Sequence, residues 1–215
     1  EKFIDRNADG LPDGGFAGLE NMIDGIETQN YSASQVLSGV PWRIQKRGGR
    51  EYVRQNWEFI WMQMLNRGHG YHAVAVCDAH SVYGNGVGGW RTYVKSSTDN
   101  PAKIDWREIS RNAKAGRMIL STGPYLEVST QDGTIAGGHT RLNGEVELHV
   151  RVQCTDWMDI DRVQVLINGR QYAGLNFTRA THKDLFGDGV VKFDRKLSIP
   201  LSEDSHLIVV AYGEN

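Results

Sequence analysis

The residues best suited to chemistry are Asp78 and His80, in the stretch AVAVCDAHSVYGNGVGGWRTYV from Ala73 to Val94. The apolar run Ala73–Cys77 reads as a buried strand that ends in Asp78-Ala79-His80. Side chains two apart on an extended chain share a side, so the carboxylate and the imidazole can face one point just beyond the strand. A borderline metal such as zinc or manganese accepts that N/O pair. Two donors do not close a site, so the others must come from elsewhere. A glycine-rich loop, Gly84, Gly86, Gly88 and Gly89, follows the pair.

A second set of metal-binding types opens the chain. Asp5, Asn7, Asp9 and Asp13 alternate, with Gly10 after the third, like the first half of an EF-type calcium loop. The twelfth position, where a bidentate Glu belongs, is Phe16, and no helix pattern flanks the loop. A full EF-hand is therefore not expected. A single calcium-binding loop and a solvated Asp/Asn/Gly turn both remain open. Glu27 stands at what reads as the end of a short strand, either as a surface carboxylate or as a group near a site.

The elements that must carry these groups follow from periodicity. Val53, Trp57, Ile60, Trp61, Met64 and Leu65 form one apolar stripe, predicting a helix over Val53–Arg67 capped by Gly68. His69 and His72 lie just past its end. The basic run before it, with Arg43, Lys46, Arg47, Arg50 and Arg54 against Glu51, reads as a solvated loop and helix start. It lacks the aromatic interleaving of a single-strand-binding surface. A second helix starts at Asp105, with Glu108 as its capping-box partner, Trp106, Ile109 and Ala113 on its buried face, and Gly116 as its stop. Beyond Gly116 the pattern changes. Met118–Ser121, Tyr125–Thr130, Val146–Cys154, Arg162–Ile167, Val190–Ile199 and His206–Tyr212 read as strands, separated by turn pairs such as Asp132-Gly133 and Asn168-Gly169. That grammar predicts a β-sandwich.

Composition bounds the classes. The 215 residues suit one large domain or two small ones and need no disulfide staples. Cys77 and Cys154 each sit in an apolar run and read as free core thiols. A formal charge of −2 gives no general pull toward nucleic acid, and no apolar run suits a membrane span. The chain starts at Glu1 without a Met and stops just after a strand-like run, which reads as a portion of a longer protein. The calcium-like loop and β-rich tail favour a periplasmic or extracellular location.

Taken together, Asp78-Ala79-His80, Arg91-Thr92-Tyr93-Val94, Ala113-Lys114-Ala115-Gly116-Arg117 and Ser121-Thr122-Gly123-Pro124 form an ordered set. The set resembles the C-terminal part of the PHP (polymerase and histidinol phosphatase) superfamily, in its CehA/McbA-like branch. IDGIETQN resembles the same branch's D-x-I-E-x-x-N stretch, which would bring Glu27 and Asn30 near the site. The resemblance implies an α/β fold: the C-terminal part of a distorted (β/α)7 barrel over residues 1–122, then a β-sandwich over 123–215. It also implies a metallohydrolase that attacks phosphoesters or carbamate- and ester-like small molecules with a metal-bound hydroxide. Zinc, manganese or iron would be the metal, Asp78 and His80 ligands from the last metal motif, and Arg91 a contact to the substrate anion. The first metal motif of that superfamily, H-x-H, is absent from this sequence, and Cys77 replaces the usual Ser. The expectation is a portion of a hydrolase, inactive alone and completed by an N-terminal part of the same protein. The alternative is a non-catalytic binding or structural module with a calcium loop and a degenerate hydrolase-like part.

Overall fold

The computed structural model describes residues 23–28, 42–80, 82, 88–141 and 144–214. Two three-stranded antiparallel sheets dominate it. One has the order β11-β8-β7, from β7 (Tyr125–Thr130), β8 (Glu145–Gln153) and β11 (Val191–Pro200). The other has the order β10-β9-β12, from β9 (Arg162–Ile167), β10 (Arg170–Thr178) and β12 (Leu207–Tyr212). Val146, Leu148, Val150 and Val152 alternate along β8 and meet Val163, Val165 and Ile167 of β9 in one core with Ile160, Phe193 and Ile199. Burying each such side chain stabilises the fold by roughly 1.5–3 kcal/mol. Two sheets sharing one core are consistent with the β-sandwich read from the turn spacing.

β9 departs from simple alternation. Gln164 and Leu166, on its other face, are also buried. Helix α1 (Trp57–Asn66) packs near that side: Met62 lies beside Gly169 in the β9–β10 turn, and Asn66 Nδ2 donates to Asn168 O at 3.2 Å. A strand covered on both faces loses its polar phase.

The N-terminal half is smaller in regular structure. β1 (Gly25–Glu27) and β4 (His72–Val74) pair in parallel. β2 (Trp42–Arg47) and β3 (Arg50–Gln55) form a hairpin, and β5 (Arg91–Val94) pairs antiparallel with β6 (Met118–Ser121). Between β5 and β6 lies α2 (Trp106–Lys114).

The expected (β/α)7-barrel portion is therefore corrected: the described residues form a β-rich fold in small sheets. Six of the seven strand pairings among the described residues are antiparallel, and β1–β4 is the parallel one. A barrel needs each strand to return through a helix to a parallel neighbour. Here α2 links two strands that run antiparallel, so the alternation does not propagate.

Smaller expectations change with it. Val53 lies on β3 and is 72% exposed, not on the helix stripe. The helix starts after Asn56, whose side chain accepts from Phe59 N. Trp106 is 67% exposed rather than buried. Glu108 does not close a capping box; it accepts from Ser97 N and Ser97 Oγ, both at 2.8 Å. Asp105 does cap α2, accepting from Arg107 N. Both cysteines are free thiols, Cys154 buried and Cys77 half-buried. No described helix is long and apolar enough to cross a membrane.

Candidate functional site

A parallel pair has both strand C-termini at one end. In β1–β4 the register sets Glu27 opposite Val74, and the ladder runs one residue further through Thr28 N to Val74 O at 2.8 Å. Glu27 and the segment leading to Asp78 therefore leave the sheet at the same end. Asn56 caps α1 at its N-terminus, and only Arg67–Tyr71 join the helix to β4.

The exit from β4 is fixed by Thr92 of β5. Ala75 N donates to Thr92 Oγ1 at 2.9 Å, and the same hydroxyl donates to Ala75 O at 2.8 Å. Ala75 is fully buried, so each of its backbone groups needs a partner, and one side chain satisfies both. Past this clamp the chain surfaces. Asp78 takes a left-handed backbone, φ 45°, which Asp tolerates better than most residues.

That turn brings His80 back onto Asp78. His80 Nδ1 lies 2.6 Å from Asp78 O, and 4.0 Å from the Asp78 carboxylate. A carbonyl oxygen only accepts, so Nδ1 carries a proton, and in the neutral ring Nε2 then holds the lone pair. A metal-ligating histidine uses the same arrangement, with one ring nitrogen fixed by a carbonyl and the other left as donor. Both side chains are largely exposed.

Arg91 starts β5, beside the clamp. Its Nε donates to Gly89 O at 3.3 Å and its Nη2 to Thr122 O at 3.0 Å. The guanidinium thus ties the end of the glycine-rich loop to the corner between β6 and β7. Sequence reading assigned Arg91 to a substrate anion; the contacts on it here are to backbone carbonyls.

The sequence-derived residues fall into two groups. Asp78 and His80 are brought together, with Glu27 at the same sheet end and Arg91 next to the clamp. Asp5, Asn7, Asp9 and Asp13, the calcium-loop candidates, lie outside the described residues, as do Asn30, Gly84 and Gly86. Thr92 was missed by sequence reading. Its signal was present: a hydroxyl inside the short run Arg91–Val94 that follows an apolar strand.

The donor set fits a divalent metal in kind but not in number. No three His, Cys, Asp or Glu side chains among the described residues converge on a metal position. Asp78 and His80 supply two of the roughly four donors that zinc takes. A wide open cleft of about 1340 Å³ lies between α1, β4–β7 and β12, and Thr28, Trp90 and Thr122, neighbours of Glu27 and Arg91, reach its wall. Trp61, Met62, Tyr93, Tyr125, Ile208 and Tyr212 are among its walls; Asp78, His80, Glu27 and Arg91 are not.

Half-buried histidines mark two other points. The His72 ring lies against Gly116, and its pKa is lowered by burial and by the neighbouring His139. His206 Nε2 is buried with no hydrogen-bond partner among the described residues, and burial lowers its pKa. Neither lies on the loop that carries Asp78 and His80. No protein-family model, curated protein or solved structure matches the chain.

Proposed function

We propose that this chain carries one arm of a divalent-metal hydrolase site, with Asp78 and His80 as ligands. The observation behind this reading is the Asp78–His80 turn: the Nδ1 bond to a carbonyl leaves Nε2 as the outward donor, next to an exposed carboxylate. The shared end of β1 and β4 adds Glu27 as a second carboxylate on that side. The resemblance of the motif set to PHP hydrolases agrees with these ligand types and does not require the barrel.

Zinc, manganese or iron, when bound, lowers the pKa of a water so that hydroxide forms near neutral pH. This chain's part is to hold. Thr92 pins the strand exit, Asp78 supplies the carboxylate, and His80 supplies an imidazole whose tautomer the Asp78 carbonyl fixes. Arg91 keeps Gly89, the last residue of the glycine-rich run, against the β6–β7 corner. The remaining ligands come from an N-terminal part of the same protein, and small phosphoesters or carbamate- and ester-like molecules are the substrates. The chain alone is inactive.

The test compares this chain with the same chain joined to its own upstream segment. Metal content after dialysis and hydrolysis of chromogenic phosphate-ester and carbamate substrates are measured for both. The joined protein should bind metal and turn over. Asp78→Ala and His80→Ala should each cost more than the roughly 10–100-fold typical of outer-shell changes. Full activity in either variant, or a joined protein with no divalent metal, would overturn the reading.

A further inference from the structure

The two sheets of the sandwich have four edge strands, and three of them carry features that discourage a further strand. β11 holds Asp194, Arg195 and Lys196, bulges between Val191 and Phe193, and ends in Pro200. β10 opens on exposed Arg170 and Gln171 and bulges between Gln171 and Asn176. β7 carries Glu127, and Ser129 near its end bridges Ile135. Charge, proline, bulges and covering loops are the usual means of keeping a sheet edge from pairing. β12 has no charge, proline or bulge. It reads LIVVAY, pairs with β9 in unbroken register from Leu207 to Tyr212, and is half-buried throughout. Among the described residues no strand pairs with its outer edge.

The ladder shows which groups face outward. Asn168 N donates to His206 O and Asp161 N to Tyr212 O, both at 3.0 Å, so the even-numbered residues of this stretch turn their backbone groups toward β9. Alternation then turns the N–H and C=O of Leu207, Val209 and Ala211 away from β9. The side chains of those three residues pack against the sandwich core and are themselves only partly buried. Ile208 and Val210 stand on the other face, beside Leu166 and Gln164, and line the cleft with Trp61, Met62 and Leu65 of α1. A strand added at this edge would meet apolar side chains on both faces, as β9 does.

Two features of this edge name its occupant. A row of outward N–H and C=O groups is matched in spacing by another polypeptide backbone, and by neither a lipid chain nor a flat aromatic ligand. Apolar walls on both faces ask of that backbone a near-continuous β-branched apolar run, as in any strand covered on both sides. A second folded copy suits the edge less, because it would have to bring its sheet past the α1 and β4–β7 residues that share the cleft with β12. A single strand needs only the spacing of about 4.8 Å between neighbours. We infer that β12 is a strand-acceptor edge, and that the cleft takes an extended, uncharged, apolar segment of another polypeptide as the fourth strand of the β10-β9-β12 sheet. The acceptor edge is separate from the Asp78–His80 turn, and neither requires the other.

The probe is a fluorescent peptide of valine and isoleucine as long as β12, six residues, with a lysine at each end for solubility. Its control is the same peptide with every backbone nitrogen methylated, which keeps the side chains and removes the donors. Fluorescence anisotropy should show the first peptide binding the full chain and the second binding at least about tenfold more weakly. Amide hydrogen exchange should be fast at Leu207, Val209 and Ala211 in the free chain and slow with the peptide, while Ile208 and Val210 stay protected in both. Val209→Pro removes one outward donor and leaves the bonds to β9, a place where an edge strand tolerates proline. It should weaken binding while the β9 amides remain protected; if it unfolds the chain, the methylated peptide still decides. Equal binding of the two peptides would overturn the inference and leave a plain apolar cleft, and no binding of the first would overturn it too. So would protection of the three outward amides in the free chain, whether constant, with the edge covered from within, or rising with concentration, with a second copy as the occupant.

Discussion

The Thr92 hydroxyl is bonded to both backbone groups of Ala75, accepting from N at 2.9 Å and donating to O at 2.8 Å. It holds a buried residue where β4 has ended and before the Asp78–His80 turn begins. A side chain here does the work of a missing strand neighbour.

Thr92→Val keeps shape and removes both bonds. Ala75 is fully buried, so its orphaned groups have no water to turn to. The expected loss is about 1–3 kcal/mol, read from urea denaturation. A Thr92→Ser variant should keep most of it, because the hydroxyl remains.

Gly137 and Gly133 separate close approach from backbone strain. Both have positive φ, 78° and 82°. A Cβ on Gly137 would stand 2.2 Å from Ala115 O and 2.3 Å from Gly116 C, which are backbone atoms, whereas Gly133 has nothing within 4 Å. Gly137→Ala should cost roughly 2–5 kcal/mol, and Gly133→Ala only about 1–2 kcal/mol, by thermal or chemical denaturation.

Stability should fall on the acid side. His206 and His72 both have folded pKa values below the ordinary 6.5, His206 through burial, His72 through burial and then His139. The unfolded chain therefore takes up protons first as pH drops through about 6.5, and stability declines from there toward the lowered folded values. Urea midpoints between neutral and mildly acidic pH should show this decline. His206→Gln should flatten part of it; a slope unchanged in that variant would remove His206 from the account.

Arg91 separates holding from binding. Its two bonds run to Gly89 O and Thr122 O. Arg91→Ala should lower stability by about 1–3 kcal/mol. If Arg91 acts by holding the loop, Arg91→Lys, which reaches one carbonyl at a time, should lose part of that stability. In the joined protein it should change turnover by the same factor for charged and uncharged substrates. A loss confined to anionic substrates would instead assign Arg91 to the substrate.

Local pattern determined much of the β-rich half. β6, β7 and β9 lie where the sequence puts them, Met118–Ser121, Tyr125–Thr130 and Arg162–Ile167, because alternation and Gly-containing turns act over a few residues. Asp105 caps α2 for the same reason. β10 was missed: Arg170–Gly174 is exposed and carries little apolar signal, and its pairing with β9 defines it. The hairpin was missed because Val53 continues an apparent helix stripe. The turn pair Gly48-Gly49 was the overlooked local sign, and only the cross-strand pairing with Ile44 reveals what Val53 does.

For the candidate site, the sequence by itself determined the residue types, Asp78 and His80 two apart after an apolar run; the strand read over Ala73–Cys77 ends at Val74, so the pair stands on the segment beyond it. Tertiary structure decided the rest. Glu27 shares their end of the sheet only because β1 pairs in parallel with β4, some 45 residues away in the chain. The His80 tautomer depends on a left-handed Asp78, and Arg91 on two carbonyls from separate loops. The expected barrel failed at the same level: one helix between two strands reads alike whether they end up parallel or antiparallel, and long-range pairing alone decides between them.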